Sequence, residues 1–237
     1  APGLFYGYVT QGIVQKEDIT ENGIKYIKQD GSVGYYQTVN KTTPVAGDVK
    51  YVDRNGDGVV DDNDRDIIGN PNPDFTYGFQ TKVSWKSLSL SASFNGVQGR
   101  DILNVGNRYN NTPGTKSNNV TRKAFQNMWT DENPSNLYPK STFVVQNMVM
   151  DRYVEDGSYL RCSDITLSYI LPAKWTNKIG IKNTSVYASV KNAFVITDYS
   201  GYDPEVNSFA FDGLRPGVDV NSYPTPRSFV FGLNLTF

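Results

Sequence analysis

The last ten residues of the chain, Ser228 to Phe237, alternate strictly between two kinds of side chain. Successive side chains of a β-strand point to opposite faces, so one face of this segment is apolar and the other is small or polar. The apolar face consists of Phe229, Phe231, Leu233, Leu235 and Phe237. Such a strand needs an apolar neighbour, either the core of a soluble sheet or the lipid around an outer-membrane barrel.

Four further segments alternate in the same way. They are residues 77–85, 88–95, 159–171 and 186–196. The connections between the strands are short and long in turn, which is typical of a transmembrane β-barrel with short turns on one rim and long loops on the other. The pattern predicts an all-β fold of about five antiparallel strands. Even small barrels need about eight strands, so we expect strands outside the given sequence to complete the barrel.

Composition excludes several classes of protein. No apolar run approaches the roughly 18 residues of a membrane-spanning helix. The chain has no histidine, which removes Ser-His-Asp catalysis and histidine zinc sites. Cys162 is the single cysteine, which excludes a disulfide framework, and the formal net charge of −1 gives no basic field for nucleic acid. From a start without Met and without a signal-peptide pattern, we expect a mature segment or a piece of a longer protein.

Residues 53–64, D-R-N-G-D-G-V-V-D-D-N-D, match the spacing of a twelve-residue calcium loop. The six oxygen donors in this pattern are Asp53, Asn55, Asp57, the carbonyl of Val59, Asp61 and Asp64. The last donor is Asp where the longer Glu is usual, and no helix pattern flanks the loop. Asn-Gly and Asp-Gly also favour turns by themselves. A site for calcium or a similar ion and a solvated cluster of turns therefore both remain open.

Five motifs follow one another along the chain. They are G-D-V-K-Y-V-D-R-N-G-D-G-V-V-D-D-N-D-R-D-I-I-G-N-P-N-P-D-F-T-Y-G-F (47–79), F-N-G-V-Q-G-R-D-I-L-N (94–104), E-D-G-S-Y-L-R-C-S-D-I-T-L-S-Y-I-L-P (155–172), Y-S-G-Y-D-P-E-V (199–206) and Y-P-T-P-R-S-F-V-F-G-L-N-L-T-F (223–237). In this order they resemble the C-terminal part of the SusC/RagA family of TonB-dependent outer-membrane transporters. Cys162 departs from the family pattern, in which Leu or Lys is more usual at that position.

The resemblance implies a 22-stranded barrel with an N-terminal plug, in the outer membrane of a Gram-negative bacterium. It implies that TonB acts through the plug and that a SusD-like surface lipoprotein, serving as a lid, captures glycans or peptides. Residues 1–74 would form an extracellular loop region, and residues 75–237 would supply barrel strands and loops in contact with membrane lipid. The plug and the remainder of the barrel lie outside this sequence. We expect transport without catalysis and no nucleic-acid partner.

Some residues of the loops and of the last strand are candidate sites under this resemblance. Candidate contacts with substrate or lid are Tyr109, Trp129, Tyr199, Tyr202 and Tyr223. Packing of the loops is the more common role of such aromatic residues. Phe237 would act as a signal for barrel assembly. Residues 121–129 are predicted to form a short helix capped by Thr121. The alternative to a transporter is a soluble all-β module that binds polysaccharide with the help of calcium.

Overall fold

The structure, a computed structural model, describes residues 3–112, 119–141, 148–176, 183–205 and 207–236. Its contacts divide the chain into two compact units. The first unit comprises Ala1–Asn72, Asp101–Glu155 and Asn207–Ser222. The second unit comprises Pro73–Arg100, Asp156–Val206 and Tyr223–Phe237. Segments of both units therefore alternate along the sequence.

The strands of the first unit are short, whereas the second unit contains five long strands. In chain order the strands are β1 (Phe5–Gly7), β2 (Thr10–Ile13), β3 (Ile19–Thr20), β4 (Gly23–Ile27), β5 (Val33–Tyr36), β6 (Thr38–Val39), β7 (Val49–Tyr51), β8 (Val59–Val60), β9 (Asp66–Gly69), β10 (Phe75–Trp85), β11 (Leu88–Gln98), β12 (Asp101–Asn104), β13 (Val154–Asp156), β14 (Tyr159–Ile170), β15 (Asn183–Thr197), β16 (Val218–Asp219) and β17 (Ser228–Thr236). The helices are α1 (Val105–Asn111), α2 (Arg122–Asn127) and α3 (Ala173–Thr176). Within the described ranges, no helix is long and apolar enough to cross a membrane.

The second unit is one antiparallel sheet in the order β10-β11-β14-β15-β17. These are the five strands that the alternating segments predict, so the all-β prediction is confirmed. The strands extend beyond the predicted segments: β10 begins at Phe75, β11 ends at Gln98 and β15 begins at Asn183. The added residues of β11 and β15 include Gly96, Gln98 and Asn183, which weaken the alternation, but the neighbouring strand still pairs with them.

The register of the sheet brings like residues into rows across all five strands. One apolar row contains Val83, Leu90, Leu167, Ala188 and Phe231. The adjacent row at the β10–β11 turn contains Trp85, Leu88, Tyr169, Val186 and Leu233. On the opposite face, the row between these two contains Ser84, Ser89, Ser168, Tyr187 and Gly232. The alternation seen along single strands therefore becomes one continuous apolar face and one polar face.

A bulge preserves this two-faced pattern in β14. Cys162 pairs with Phe94 and Asp164 pairs with Ser93, which leaves Ser163 as an extra residue. Along the sequence, the apolar parity changes between Cys162 and Ile165, so an unbulged strand would send one of them to the polar face. The bulge absorbs this change, and both residues lie in rows with apolar neighbours.

Gly96→Ala is expected to lower the free energy of unfolding by about 1–3 kcal/mol, because it overpacks the sheet. A methyl group on Gly96 would stand 2.3 Å from Cζ of Tyr77 and 2.7 Å from the backbone oxygen of Tyr159. Gly78→Ala is the matched control, since a methyl group there meets only the backbone oxygen of Phe94, at 3.4 Å. Chemical denaturation compares the two variants, and equal stabilities would contradict the expected overpacking.

The first unit consists of small sheets around a core rich in tyrosine. Its sheets are β1-β9, β2-β7, β3-β4-β5, β6-β8 and β13-β12-β16. Tyr26, Tyr36 and Tyr51 are almost fully buried in the core. The predicted helix is present as α2, in which the Thr121 hydroxyl accepts a hydrogen bond from the backbone N–H of Ala124 at 3.1 Å. Residues 1–74, predicted as a loop region, thus contain β1 to β9 and much of this core.

Candidate functional site in an acidic loop and a polar sheet face

The acidic loop of residues 53–64, in the first unit, closes on two buried carboxylates. Asp53 accepts hydrogen bonds from the backbone N–H groups of Gly56 at 2.7 Å and Gly58 at 2.8 Å. Asp64 is fully buried and accepts from the N–H groups of Arg54 at 2.7 Å and Asp61 at 2.8 Å. The two side chains therefore tie the beginning and end of the loop to its backbone.

The other predicted ligands of this loop lie nearer to solvent and form local turns. The Asn55 side chain accepts from the N–H of Asp57, the Asp57 side chain from that of Val59, and the Asp61 side chain from that of Asn63. These oxygen donors suit a hard cation by their chemical type. In the described parts of the chain, however, no three His, Cys, Asp or Glu side chains converge closely enough to hold a metal ion. The geometry as it stands is that of a loop closed by its own hydrogen bonds.

Negatively charged side chains lie close together in the acidic loop and repel one another. Burial raises the pKa of Asp53, the N–H donors of Gly58 and Gly56 partly offset this, and the negative charges of Asp64 and Asp57 raise it further. The phenol of Tyr26 donates to the backbone oxygen of Asp53 at 2.7 Å. Burial, together with the charges of Asp53 and Asp64, raises the pKa of Tyr26 to about 12. A cation at this loop would relieve the repulsion between the carboxylates.

The polar face of the sheet in the second unit carries a hydrogen-bonded group centred on Asp164. Its carboxylate forms an ion pair with Lys191 at 2.7 Å and accepts hydrogen bonds from the hydroxyls of Ser189 at 2.7 Å and Thr166 at 2.8 Å. Lys191 is 54% exposed, whereas Asp164 is 20% exposed. The polar face thus presents hydroxyls and a half-exposed ammonium group that is paired with Asp164.

A buried ion pair holds a loop onto the same polar face, at the far end of the strands. Arg161 of β14 contacts Asp203, and both side chains are at most 6% exposed. The Nε atom of Arg161 lies 2.9 Å from Glu205, which also accepts a hydrogen bond from the phenol of Tyr159 at 2.6 Å. Asp203 accepts a further hydrogen bond from the backbone N–H of Thr225 at 3.0 Å. The Asp203 carboxylate therefore joins the beginning and the end of the connection between β15 and β17 to the sheet.

This cluster of Arg161, Asp203 and Glu205 is absent from the sequence-based predictions. Arg161 and Asp203 lie 42 positions apart in the chain, and neither lies in a spacing pattern that indicates a site. In the sequence Arg161 has the same parity as Ile165 and Leu167, and only the bulge at Ser163 places it on the polar face, where a buried charge requires a partner. The pairing follows from the register of the sheet and the return of the loop after β15.

The five aromatic residues predicted to contact substrate or lid differ in their exposure to solvent. Trp129 and Tyr199 are buried, and the indole N–H of Trp129 donates to the Gln15 side chain at 3.0 Å. Tyr109 is half-buried, with the Arg108 guanidinium 4.6 Å from its ring centre. The remaining two are exposed side chains, Tyr202 at 74% and Tyr223 at 88%. Phe237, the predicted assembly signal, lies outside the described residues.

The chain is similar to known receptors over most of its length. No protein-family model matches it. TonB-dependent receptor P26 of Formosa agariphila is 35% identical over 201 residues, covering 81% of this chain and 20% of that protein. TonB-dependent receptor SusC of Bacteroides thetaiotaomicron is 34% identical over 194 residues, covering 79% of this chain and 17% of that protein. A structure of the RagAB peptide importer in the 'open-open' state aligns with all of this chain and 22% of its own, with a TM-score of 0.67 and 25% identity.

The two-faced sheet and these similarities together define the class of protein. The chain belongs to the TonB-dependent receptors, which reside in the outer membrane of Gram-negative bacteria. Within that class it is a member of the SusC/RagA family. It spans about a fifth of the length of the curated relatives it matches.

Proposed function

We propose that the second unit forms part of the wall of a 22-stranded barrel that imports nutrients across the outer membrane. The observation that carries this proposal is the alignment of apolar rows on one face of the sheet and of Ser, Thr, Lys and Asp on the other. Lipid fits the apolar face, and a water-filled lumen fits the polar face. The two outer strands, β10 and β17, then pair with the remainder of the barrel, since unpaired backbone groups are costly in lipid.

The proposed transport cycle needs partners beyond this chain. A SusD-like surface lipoprotein serves as the lid that delivers glycans or peptides, and TonB drives opening through the plug. The similarity to SusC and to the RagAB peptide importer supports this arrangement. The roles of this chain are those of wall, loops and docking surface, and they involve no catalysis.

Deletion of the intact receptor is expected to abolish uptake of its cargo, and its return on a plasmid is expected to restore that uptake. Labelled oligosaccharides and labelled peptides form two separate arms, so the experiment also assigns the cargo class. Cells without TonB are the matched control, because they keep the receptor but lose the energy source. Uptake that persists without the receptor or without TonB contradicts the proposal.

We also propose that the acidic loop binds calcium through Asp53, Asn55, Asp57, the Val59 carbonyl, Asp61 and Asp64. The spacing of these donors and the repulsion among the buried carboxylates support this proposal. A carboxylate oxygen that accepts a single N–H, as each oxygen of Asp53 does, keeps a second lone pair for a cation. An affinity in the millimolar range is expected for a site exposed to the cell exterior.

Asp57→Ala is expected to abolish a calcium-dependent rise in melting temperature, because it removes the donor at loop position 5. The wild type should show this rise at millimolar calcium, since a ligand that binds the folded state stabilises it. Asp30→Ala is the matched control, an acidic turn residue of the first unit outside the loop. Melting curves recorded with calcium and with a chelator provide the measurement. A wild type without any calcium-dependent rise contradicts the site.

A further inference from the structure

The first unit contains a cavity of about 230 Å³ beside strand β1. The residues that line it include Tyr6, Tyr8, Asn40, Arg65 and Val149. The volume suits one small ring or one side chain, well below the size of a folded partner segment. Two tyrosines, an asparagine and an arginine thus line a space that none of the predicted sites includes.

Arg65 is positioned at this cavity by two partners. Its Nη2 atom lies 2.6 Å from the carboxylate of Asp62, and its Nε atom donates to the phenol oxygen of Tyr8 at 3.4 Å. Asp62 is 76% exposed, so this ion pair has little net strength. A guanidinium has five N–H donors, and no other residue within the described ranges accepts from it. Arg65 can therefore donate further hydrogen bonds to an anionic group in the cavity.

The backbone beside the cavity is already paired, which argues against an extended peptide as the occupant. The N–H of Tyr8 donates to the backbone oxygen of Val149 at 2.9 Å, and the Tyr8 oxygen accepts from Asp151 at 3.0 Å. On the other side, Tyr6 and Gly7 pair with β9. Peptides that bind as added strands need a free edge, and this wall offers none. Recognition must rest on side-chain donors and ring faces.

Tyr6 supplies a ring face for such recognition. Its side chain is 55% exposed although it lies on a strand paired within the protein. An apolar ring face combined with planar donors fits a sugar ring that bears a carboxylate. Asn40, held in a left-handed conformation at φ 45°, adds an amide to the same wall.

We propose that this cavity binds the uronate residue of an acidic oligosaccharide, with Arg65 on the carboxylate and Tyr6 against the sugar ring. The proposal rests on the import function proposed above and assigns a class of cargo to it. Asn40 would donate to a ring hydroxyl. The site recognises one sugar at a time, as its volume requires.

Calorimetric titration of the intact receptor in detergent tests the site with three probes: methyl glucuronide, methyl glucoside and N-acetylalanine. The first two probes differ only in the carboxylate, and the third carries a carboxylate without a sugar. We expect the glucuronide to bind at least tenfold more tightly than the glucoside. Arg65→Gln should lower the glucuronide affinity at least tenfold, and Tyr6→Ala should lower it as well. Arg54→Gln is the matched control, an arginine in a similar half-exposed pair with Asp66 that does not line the cavity.

Three results would overturn the assignment: equal affinity for glucuronide and glucoside, an unchanged affinity in Arg65→Gln, or equally tight binding of N-acetylalanine. The last result would indicate a peptide-type carboxylate. The uptake experiment and this binding experiment test different proposals, and either can fail without the other. A receptor that binds the glucuronide but supports no uptake overturns the import function alone, whereas normal uptake without this binding overturns the cavity alone.

Discussion

Phe231→Arg is expected to lower the free energy of unfolding in a bilayer by up to about 2–4 kcal/mol, because a cationic side chain that faces lipid is costly, most of all at the membrane midplane. Phe231 is 78% exposed on the apolar face, in the row that also contains Leu167 and Ala188. An arginine there would have to reach the membrane interface or draw water into the hydrocarbon. The variant should also assemble less efficiently into the outer membrane.

Val230→Arg is the matched control for this experiment, because it places the same charge one residue away on the opposite face. Val230 pairs with Ser189, which lies on the hydroxyl-rich side of the sheet. A charge on the lumen face is tolerated, so we expect the free energy of unfolding to change by no more than about 0.5 kcal/mol. Urea titration of both receptors refolded into lipid vesicles gives the comparison. Equal losses in the two variants would count against a lipid-facing apolar side.

Asp203→Ala is expected to lower the free energy of unfolding by about 3–5 kcal/mol, because it leaves the buried guanidinium of Arg161 without its main partner. Both side chains are at most 6% exposed, and the Asp203 carboxylate also holds the N–H groups of Glu205 and Thr225. Glu205 remains 2.9 Å from Nε of Arg161, which places the expected cost at the lower end of this range.

Lys191→Gln is the control for the loss of Asp203, since it also breaks an ion pair on the polar face. Lys191 is 54% exposed, so the loss of its contact with Asp164 should cost about 1 kcal/mol or less. Hydrogen exchange of residues 198–205 would report the local effect. We expect faster exchange there in Asp203→Ala alone. The same exchange pattern in both variants would show that the buried pair does not anchor the loop.

The buried ion pair of Asp203 with Arg161 also predicts how the stability of the protein depends on pH. Burial raises the pKa of the Asp203 carboxyl, but the N–H donors of Glu205 and Thr225 and the charge of Arg161 outweigh it, so the pKa lies below its ordinary value. A carboxyl with a lowered folded-state pKa stabilises the fold above its unfolded pKa and loses this contribution as pH falls through its folded pKa. The free energy of unfolding of the wild type should therefore fall below about pH 4, and Asp203→Ala should lack this part of the pH dependence.

The five long strands follow from the sequence because alternation is a local property. Within residues 77–85 or 228–236, each side chain indicates its own face without reference to the rest of the chain. The cap of α2 is equally local, since Thr121 precedes the helix that it caps. The ends of the strands are less predictable, because pairing with a neighbour extends a strand through residues such as Gly96 whose own preference for a strand is weak.

The candidate sites depend on contacts that no local pattern encodes. The spacing of the acidic loop predicts oxygen donors, but the burial of Asp53 and Asp64 and their use in closing the loop are visible only in the fold. Trp129 and Tyr199 resemble Tyr202 and Tyr223 in the sequence, yet the first pair is buried and the second is exposed. Exposure depends on which segments return to cover a loop, and that information is not local.

The sequence by itself determined the two-faced strands, beginning with the alternation from Ser228 onward, because a strand repeats every two residues. The tertiary structure alone decided the register that joins these strands into continuous rows, including the bulge at Ser163. It also decided the burial of Arg161 against Asp203 and the cavity beside Tyr6. These features unite residues that lie far apart in the chain, and their energies depend on exclusion of water, which only a folded structure provides.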